Sequence, residues 1–300
     1  MTFILFNPLS DNKNGEANAK KLNETLKNEE KRFIDITKIN AAEFINQASA
    51  EDKIIIAGGD GTIHKFVNQC GEKIPDHEIL YYPAGSGNDF RTELLEKTSD
   101  DLILLNPYIK NLPTVTINGK SFKFLNGIGF GIDGYCCEEG DKQRQKSSGS
   151  INYTAIAIKG MLGAFKPRSA VIIADGVKHS YKYVWLAPTM KGKYYGGGMK
   201  VAPFQNRLSK NGEVTTVVFH CPSKIVTLAV FPSIFKGKHV NHKKMVDVIT
   251  AKKVTVKFDR PTPLQVDGET FTNVTSYSVS CTVPVSSEKK NKTGKSPLGV

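Results

Sequence analysis

Three short stretches combine glycine with acidic or hydroxyl residues in a way that suits phosphate chemistry. In "KIIIAGGDGTIHKF", Gly58, Gly59, Asp60, Gly61 and Thr62 stand between an apolar run and a helical pattern. Glycines at such a junction let backbone amides crowd together, and the helix start adds unpaired amides and the positive end of its dipole, so the turn suits a phosphate group. Asp60 adds a carboxylate that can bind magnesium or hold the loop. No Gly-Lys-Ser/Thr follows, so this is not a Walker loop. The second stretch, "EILYYPAGSGNDF", leads a strand through Pro83, Gly85, Ser86 and Gly87 into Asn88, Asp89 and a helix. In the third, "LQVDGETF", alternating apolar residues lead to Asp267, Gly268 and Glu269. A carboxylate at that strand end can take the proton of an attacking hydroxyl, a role worth about a hundredfold to ten-thousandfold. The plainer reading of the same residues is an Asp-Gly hairpin turn carrying solvated acids.

These groups can act together only if the fold brings them together. From Met1 to about Leu125, short apolar runs alternate with helical patterns: "FILFN", a helix over 16–30, "RFIDIT", a helix from Ala41, "KIIIAG", a helix from Thr62, then "EILYYPAG". That alternation predicts an α/β domain with a parallel sheet covered by helices. Glycine loops after successive parallel strands face one crevice at the carboxyl ends of the sheet, where ligands bind in open α/β folds. Asn7 ends the first strand and Thr37 the second, and both would project there; turn chemistry alone accounts for Asn7, Pro8 and Ser10 nearly as well. Beyond residue 125 the pattern changes to strand-like runs with one helical stretch over 150–165. This predicts a β-rich, sandwich-like second domain over 126–283. The last fifteen residues are polar, basic and poor in core formers, and are expected to be disordered or to pack back on the first domain.

Among 300 residues, 41 Lys and Arg against 29 Asp and Glu leave a formal charge of +12, which favours phosphate-bearing partners without choosing between nucleotide, nucleic acid and membrane. The basic residues are scattered and no aromatic stacking module is present, which argues against nucleic acid. Five cysteines without a CxxC argue against a disulfide framework and a zinc ribbon and point to a reducing cytoplasm. His239 and His242 lack an acidic or cysteine partner at useful spacing for a metal. The start lacks a basic, signal-like segment, and the longest apolar run, Ile225 to Phe235, is about half a membrane span.

"GGDGT" over 58–62, "PAGSGNDF" over 83–90, "NP" at Asn7 and "VDGE" over 266–269, in that order, resemble the diacylglycerol kinase catalytic-domain family, specifically the bacterial lipid kinases related to sphingosine and ceramide kinases. "GGDGT" alone also occurs in NAD kinases; "GSGNDF" and "VDGE" favour the lipid-kinase branch. The resemblance implies an ATP- and Mg2+-dependent enzyme with its site in a cleft between two domains. Residues matching Asn7, Thr37, Gly58 to Thr62 and Ser86 would surround ATP, with Gly85, Gly87, Asn88 and Asp89 in the same loop. Asp60 would lie near magnesium and phosphates, Glu269 would accept the proton, and Asp267 would orient Glu269 or the metal. It also implies a structural magnesium held at an aspartate in the second domain, where this chain reads "RLSKNGEV". Asn211 replaces the aspartate, Leu208 and Glu213 stand at the carbonyl positions, and loss of a carboxylate weakens a hard-cation site. A lipid acceptor, with diacylglycerol first, implies contact with an anionic bilayer. "KIVTLAVFPSIFKGKHVNHKKM" over 224–245 joins an apolar run to Lys236, Lys238, Lys243 and Lys244, as an interfacial element would. The rival readings are an NAD kinase and a non-catalytic nucleotide or lipid sensor. An exposed sheet edge in the second domain is compatible with a homodimer.

Overall fold

The computed structural model describes residues 1–71, 76–85, 88–96, 101–146 and 151–281. Ser86, Gly87 and the chain end from 282 lie outside the described residues. The first sheet contains β1 (Thr2–Phe6), β2 (Lys31–Asp35), β3 (Lys53–Gly58), β4 (Glu78–Pro83) and the short β5 (Ile103–Leu104), in spatial order β2-β1-β3-β4-β5. The first four are parallel and β5 is antiparallel. Ile54, Ile55, Ile56 and Ala57 are all fully buried, as expected for a central strand covered on both faces. The register aligns Phe6 with Asp35 and Ala57, and Gly58 with Pro83. The loops after β1, β2, β3 and β4 therefore leave the sheet along one edge.

Around this sheet lie α1 (Gly15–Lys20), α2 (Ala41–Gln47), α3 (Asp60–Cys70) and α4 (Asp89–Leu94). The single helix expected over 16–30 is α1 followed by a separate turn at Leu22–Thr25. Leu26 leaves helical geometry (φ −108°, ψ 40°), and Glu29 instead accepts a 2.7 Å hydrogen bond from Thr2 Oγ1.

The second sheet comprises β6 (Thr114–Ile117), β7 (Lys120–Lys123), β8 (Gly127–Phe130), β9 (Arg168–Ala174), β10 (Val177–Leu186), β11 (Thr189–Met190), β12 (Val214–His220), β13 (Val246–Ala251), β14 (Lys253–Val266) and β15 (Glu269–Ser280). It runs β7-β6-β15-β14-β8-β11-β12-β10-β9, and β9 pairs back onto β14. The long β14 makes this closure, with its first half on β9 and its last residues on β8. The β6–β7 hairpin pairs with β15, so this sheet takes two strands from before residue 125, with Val115 and Ile117 in its core.

The helix expected over 150–165 is α6 (Tyr153–Lys159), ending in a wider turn over Gly160–Ala164. The preceding α5 (Ile132–Lys146) was not expected. Its sequence is polar, and its buried face consists largely of small residues, among them Gly134, Cys136 and Gly140. It therefore packs closely without an apolar stripe.

Polar groups bind the two halves. Arg207 and Glu93 are buried with Nη2 to Oε2 at 2.8 Å, and Arg207 also donates to the Leu125 carbonyl and to Asn126 Oδ1. Its guanidinium lies 4.8 Å from the Phe90 ring centroid. Breaking one partner of such a pair strands the other charge in the interior. Arg207→Leu should lower unfolding free energy by about 3–5 kcal/mol, read by urea denaturation; a change under about 1 kcal/mol would contradict a latch role.

Candidate active site

The strand order 2-1-3-4-5 reverses between β1 and β3, and the crevice outside the carboxyl ends of those strands is the ligand position in doubly wound sheets. Asn7 follows β1, where its Nδ2 donates to Thr62 Oγ1 at 3.2 Å and its Oδ1 accepts from Leu9 N. Ser10 Oγ is 3.5 Å from the same hydroxyl. Gly59 precedes α3 without a side-chain cap, so the amides of Asp60 and Gly61 come before the first intrahelical bond and, with no acceptor among the described residues, suit an anion. The space a side chain at Gly61 would enter is open. The loop after β4 presses against this one: a Cβ on Gly85 would lie 2.4 Å from Gly59 Cα, so only glycine fits. Asn88 holds that loop through Nδ2 to the Gly85 carbonyl (2.6 Å) and accepts from the Tyr81 hydroxyl at 3.3 Å. Thr37 follows β2, the edge strand, and its hydroxyl and amide are both committed to Asp35 Oδ1.

The acids divide by their partners. Asp60 is 7% exposed; its Oδ2 accepts from Phe90 N at 3.2 Å and Asn126 Nδ2 at 2.8 Å, while its buried Oδ1 has no partner among the described residues. Burial first, then the charge of Asp89, pushes its carboxyl up to about 7. Asp89 accepts from the consecutive amides of Gly197 and Gly198 in the second domain, at 2.9 and 2.7 Å, so its two oxygens bind protein instead of a nucleotide.

Asp267 and Gly268 form the two-residue turn between β14 and β15, with φ of 46° and 94° as a type I′ turn requires. The Asp267 side chain is fully buried. It accepts from the consecutive amides of Leu125, Asn126 and Gly127 at 2.5–3.0 Å, and from His64 Nδ1 at 2.9 Å. Asp267 is therefore an internal anchor for the turn that carries Glu269: its oxygens are occupied by protein donors and away from solvent, which does not suit the implied alternative of orienting a metal. Burial would raise its carboxyl, but the His64 hydrogen bond and charge and the amides hold it below the usual value. Glu269, one residue past the turn, has its side chain 49% exposed, with Oε2 3.9 Å from His64 Nε2. The hairpin reading of "VDGE" thus holds for Asp267 and Gly268, while its solvated acid is Glu269 alone.

Reading the sequence missed Asn126, His64, Arg207 and Glu93. Asn126 gives its amide N–H to Asp267, its side-chain N–H to Asp60, and receives Arg207 Nη2 on Oδ1 at 2.8 Å. Because arginine only donates, this contact fixes which way the Asn126 amide points. The signal was a lone asparagine within the apolar run "FKFLNGIGF", where a polar residue needs partners. At the second-domain position, Asn211 Nδ2 donates to Glu213 Oε1 at 3.5 Å and the Leu208 amide donates to Asn206 Oδ1. That leaves one carboxylate in the loop, and no cluster of three His, Cys, Asp or Glu side chains able to hold a metal occurs among the described residues.

Residues 1–111 match the family described as diacylglycerol kinase catalytic domain, and residues 126–284 match the YegS C-terminal NAD kinase beta sandwich-like domain. The chain belongs to this two-domain family of bacterial, diacylglycerol kinase-like lipid kinases. It is 27% identical over 293 residues to YtlR of Bacillus subtilis, named as a candidate lipid kinase, covering 89% of this chain and 92% of that one. It is 26% identical over 223 residues to a diacylglycerol kinase of Mycobacterium tuberculosis, covering 71% and 69%. The fold is shared with a Bacillus anthracis structure described as a candidate diacylglycerol kinase, at TM-score 0.66 and 18% identity over 94% of this chain and 92% of that one.

Asp60 makes a pH prediction. Burial pushes its carboxyl from the ordinary 3.8 up to about 7, so between those values the folded state holds a proton that the unfolded chain has released. Its stabilising contribution is complete below about pH 4 and falls by about 1.4 kcal/mol per unit up to about pH 7. Between pH 5 and 7 in chelator, the native protein should lose about 2 kcal/mol relative to Asp60→Asn in urea unfolding; parallel pH profiles would contradict this environment.

Proposed function

We propose that this protein transfers the γ-phosphoryl group of ATP to the hydroxyl of a membrane lipid, with diacylglycerol the first acceptor to test. The observation that carries the reading is the half-exposed Glu269 carboxylate on a turn anchored, through Asp267 and Asn126, to the Asp60 loop. The amides at the start of α3 and the hydroxyl cluster of Asn7, Ser10 and Thr62 would receive the phosphates. Asp60 fits a magnesium site, because its Oδ1 is buried without a partner among the described residues and its carboxyl carries a burial cost that a cation relieves. Magnesium, when bound, neutralises charge on the phosphate oxygens. Glu269 accepts the lipid hydroxyl proton while the lipid oxygen bonds to the γ-phosphorus and the bond to ADP breaks. Most of the rate gain comes from positioning and charge stabilisation, as the loose phosphoryl-transfer transition state requires.

Glu269→Gln should lower phosphate transfer from ATP to dispersed diacylglycerol by about a hundredfold or more; full retained transfer would overturn the base assignment.

The acceptor lies in a bilayer, and no helix among the described residues is long and apolar enough to cross one. The protein would then meet its acceptor through a surface. In α7 (Lys224–Val230), Ile225 is 81% exposed, and Lys224 Nζ lies 3.5 Å from the carbonyl of the exposed Leu162. Lys236, Lys238, Lys243 and Lys244 are exposed beyond it, while Phe231, Ile234, Val240 and Met245 are core. Apolar tips flanked by lysines suit an anionic interface. Replacing those four lysines by glutamine should weaken binding to phosphatidylglycerol vesicles by about tenfold or more in sedimentation; unchanged binding would remove this surface from the account.

A further inference from the structure

His64 lies on α3 one turn after Asp60 and is 3% exposed. Its Nδ1 is 2.9 Å from Asp267 Oδ2. Asp267 already accepts three amides and is held as a carboxylate, so it can only accept, and the ring hydrogen sits on Nδ1. In the neutral ring Nε2 is then a bare lone pair. Asn68 Nδ2 lies 3.4 Å from it, but the two hydrogens of that amide are placed on the carbonyls of His64 and Lys123, both at 2.9 Å. None remains for Nε2. Among the described residues, the other group facing it is Glu269 Oε2, at 3.9 Å. Two acceptors facing each other across that gap lack a proton between them. Glu269, with its side chain half in solvent, can close the distance by a small torsion, and catalytic hydrogen bonds commonly tighten only in the reacting complex.

We propose that His64 stores the proton that Glu269 removes from the acceptor hydroxyl, acting through Glu269 as a positioning residue without touching substrate. The inference rests on the reading of Glu269 as the base. In the first step the acceptor O–H breaks and a Glu269 O–H forms, as the acceptor oxygen bonds to phosphorus and ADP leaves. In the second, that Glu269 O–H breaks and an Nε2–H forms, giving an imidazolium between two carboxylates. Glu269 is restored as a carboxylate before product departs, and His64 later returns the proton to water. The surroundings suit an imidazolium: burial disfavours it, but the hydrogen bond and charge of Asp267 and the charge of Glu269 raise its pKa above the ordinary 6.5. Asp267 faces the ring from the hairpin turn and Glu269 from β15, while Lys65, on the same helix, acts in the opposite sense.

A histidine that only neutralises Asp267 would leave the pH dependence of the reaction unmoved. The test is kcat/KM for phosphate transfer against pH at saturating magnesium, which holds Asp60 ionised. The native enzyme should show a limb above pH 6.5, rising as His64 becomes able to receive a proton. His64→Gln, which can still donate to Asp267, should lose that limb and fall by about tenfold at pH 8. An unmoved limb overturns the proposal while leaving the lipid-kinase reading intact.

A second measurement does not alter His64. The imidazole of the full chain is titrated by NMR in the native protein and in Glu269→Gln, whose changed side chain is half in solvent. The His64 pKa should drop by about one unit when the facing charge is removed. An unchanged value overturns the coupling. Full phosphate transfer by Glu269→Gln would overturn the base assignment and this inference together.

Discussion

One buried carboxylate organises the cleft. Asp267 sits at the tip of a β-hairpin, yet its side chain turns inward and takes three successive backbone amides from the segment that joins β7 to β8 within the second sheet. An unpaired carboxylate there would cost several kcal/mol, so the hairpin stays seated only while the 125–127 backbone and His64 remain in place. The same residues bring the first domain to the turn, since His64 belongs to the helix that begins at Asp60. Glu269 thus inherits its place from backbone groups and a buried ring, which keep a position better than two flexible side chains would.

Other contacts between the domains use the same economy of means. Asp89 takes a pair of amides from the glycine run at 196–198, and Glu93 takes Arg207. Both acids lie on one short helix, α4, directly after the second glycine loop. The motif "GSGNDF" therefore combines two jobs: its glycine edge packs against the Asp60 loop, and its acidic end seats the second domain. A substitution at Asp89 would disturb the cleft by shifting a domain, even though both of its oxygens are bound to protein.

The alternation of apolar runs with helical patterns was enough to read the parallel sheet, and strand alignment then followed, because loops after successive parallel strands share an edge. The β-rich second half was legible for the same reason. What escaped was governed by pairing over long distances. The β6–β7 hairpin belongs with β15, more than 150 residues later, which nothing local reveals. Helix α5 escaped because small residues replace a hydrophobic stripe. At the site, Gly58 to Thr62, Asp267 and Glu269 were visible as motif residues, whereas the burial of Asp267 was not: an Asp-Gly pair reads as a solvated turn until its amide partners are known. His64 and Asn126 carry meaning only through partners distant in sequence.

The central claim is that the Asp60 loop and the Glu269 hairpin are two walls of one MgATP site. Amide hydrogen exchange on the full chain, with and without MgATP, tests it most directly. Slower exchange in both 57–63 and 264–270 on adding MgATP is the predicted result. Protection confined to the first segment, or to the 205–215 loop of the second domain, would contradict it.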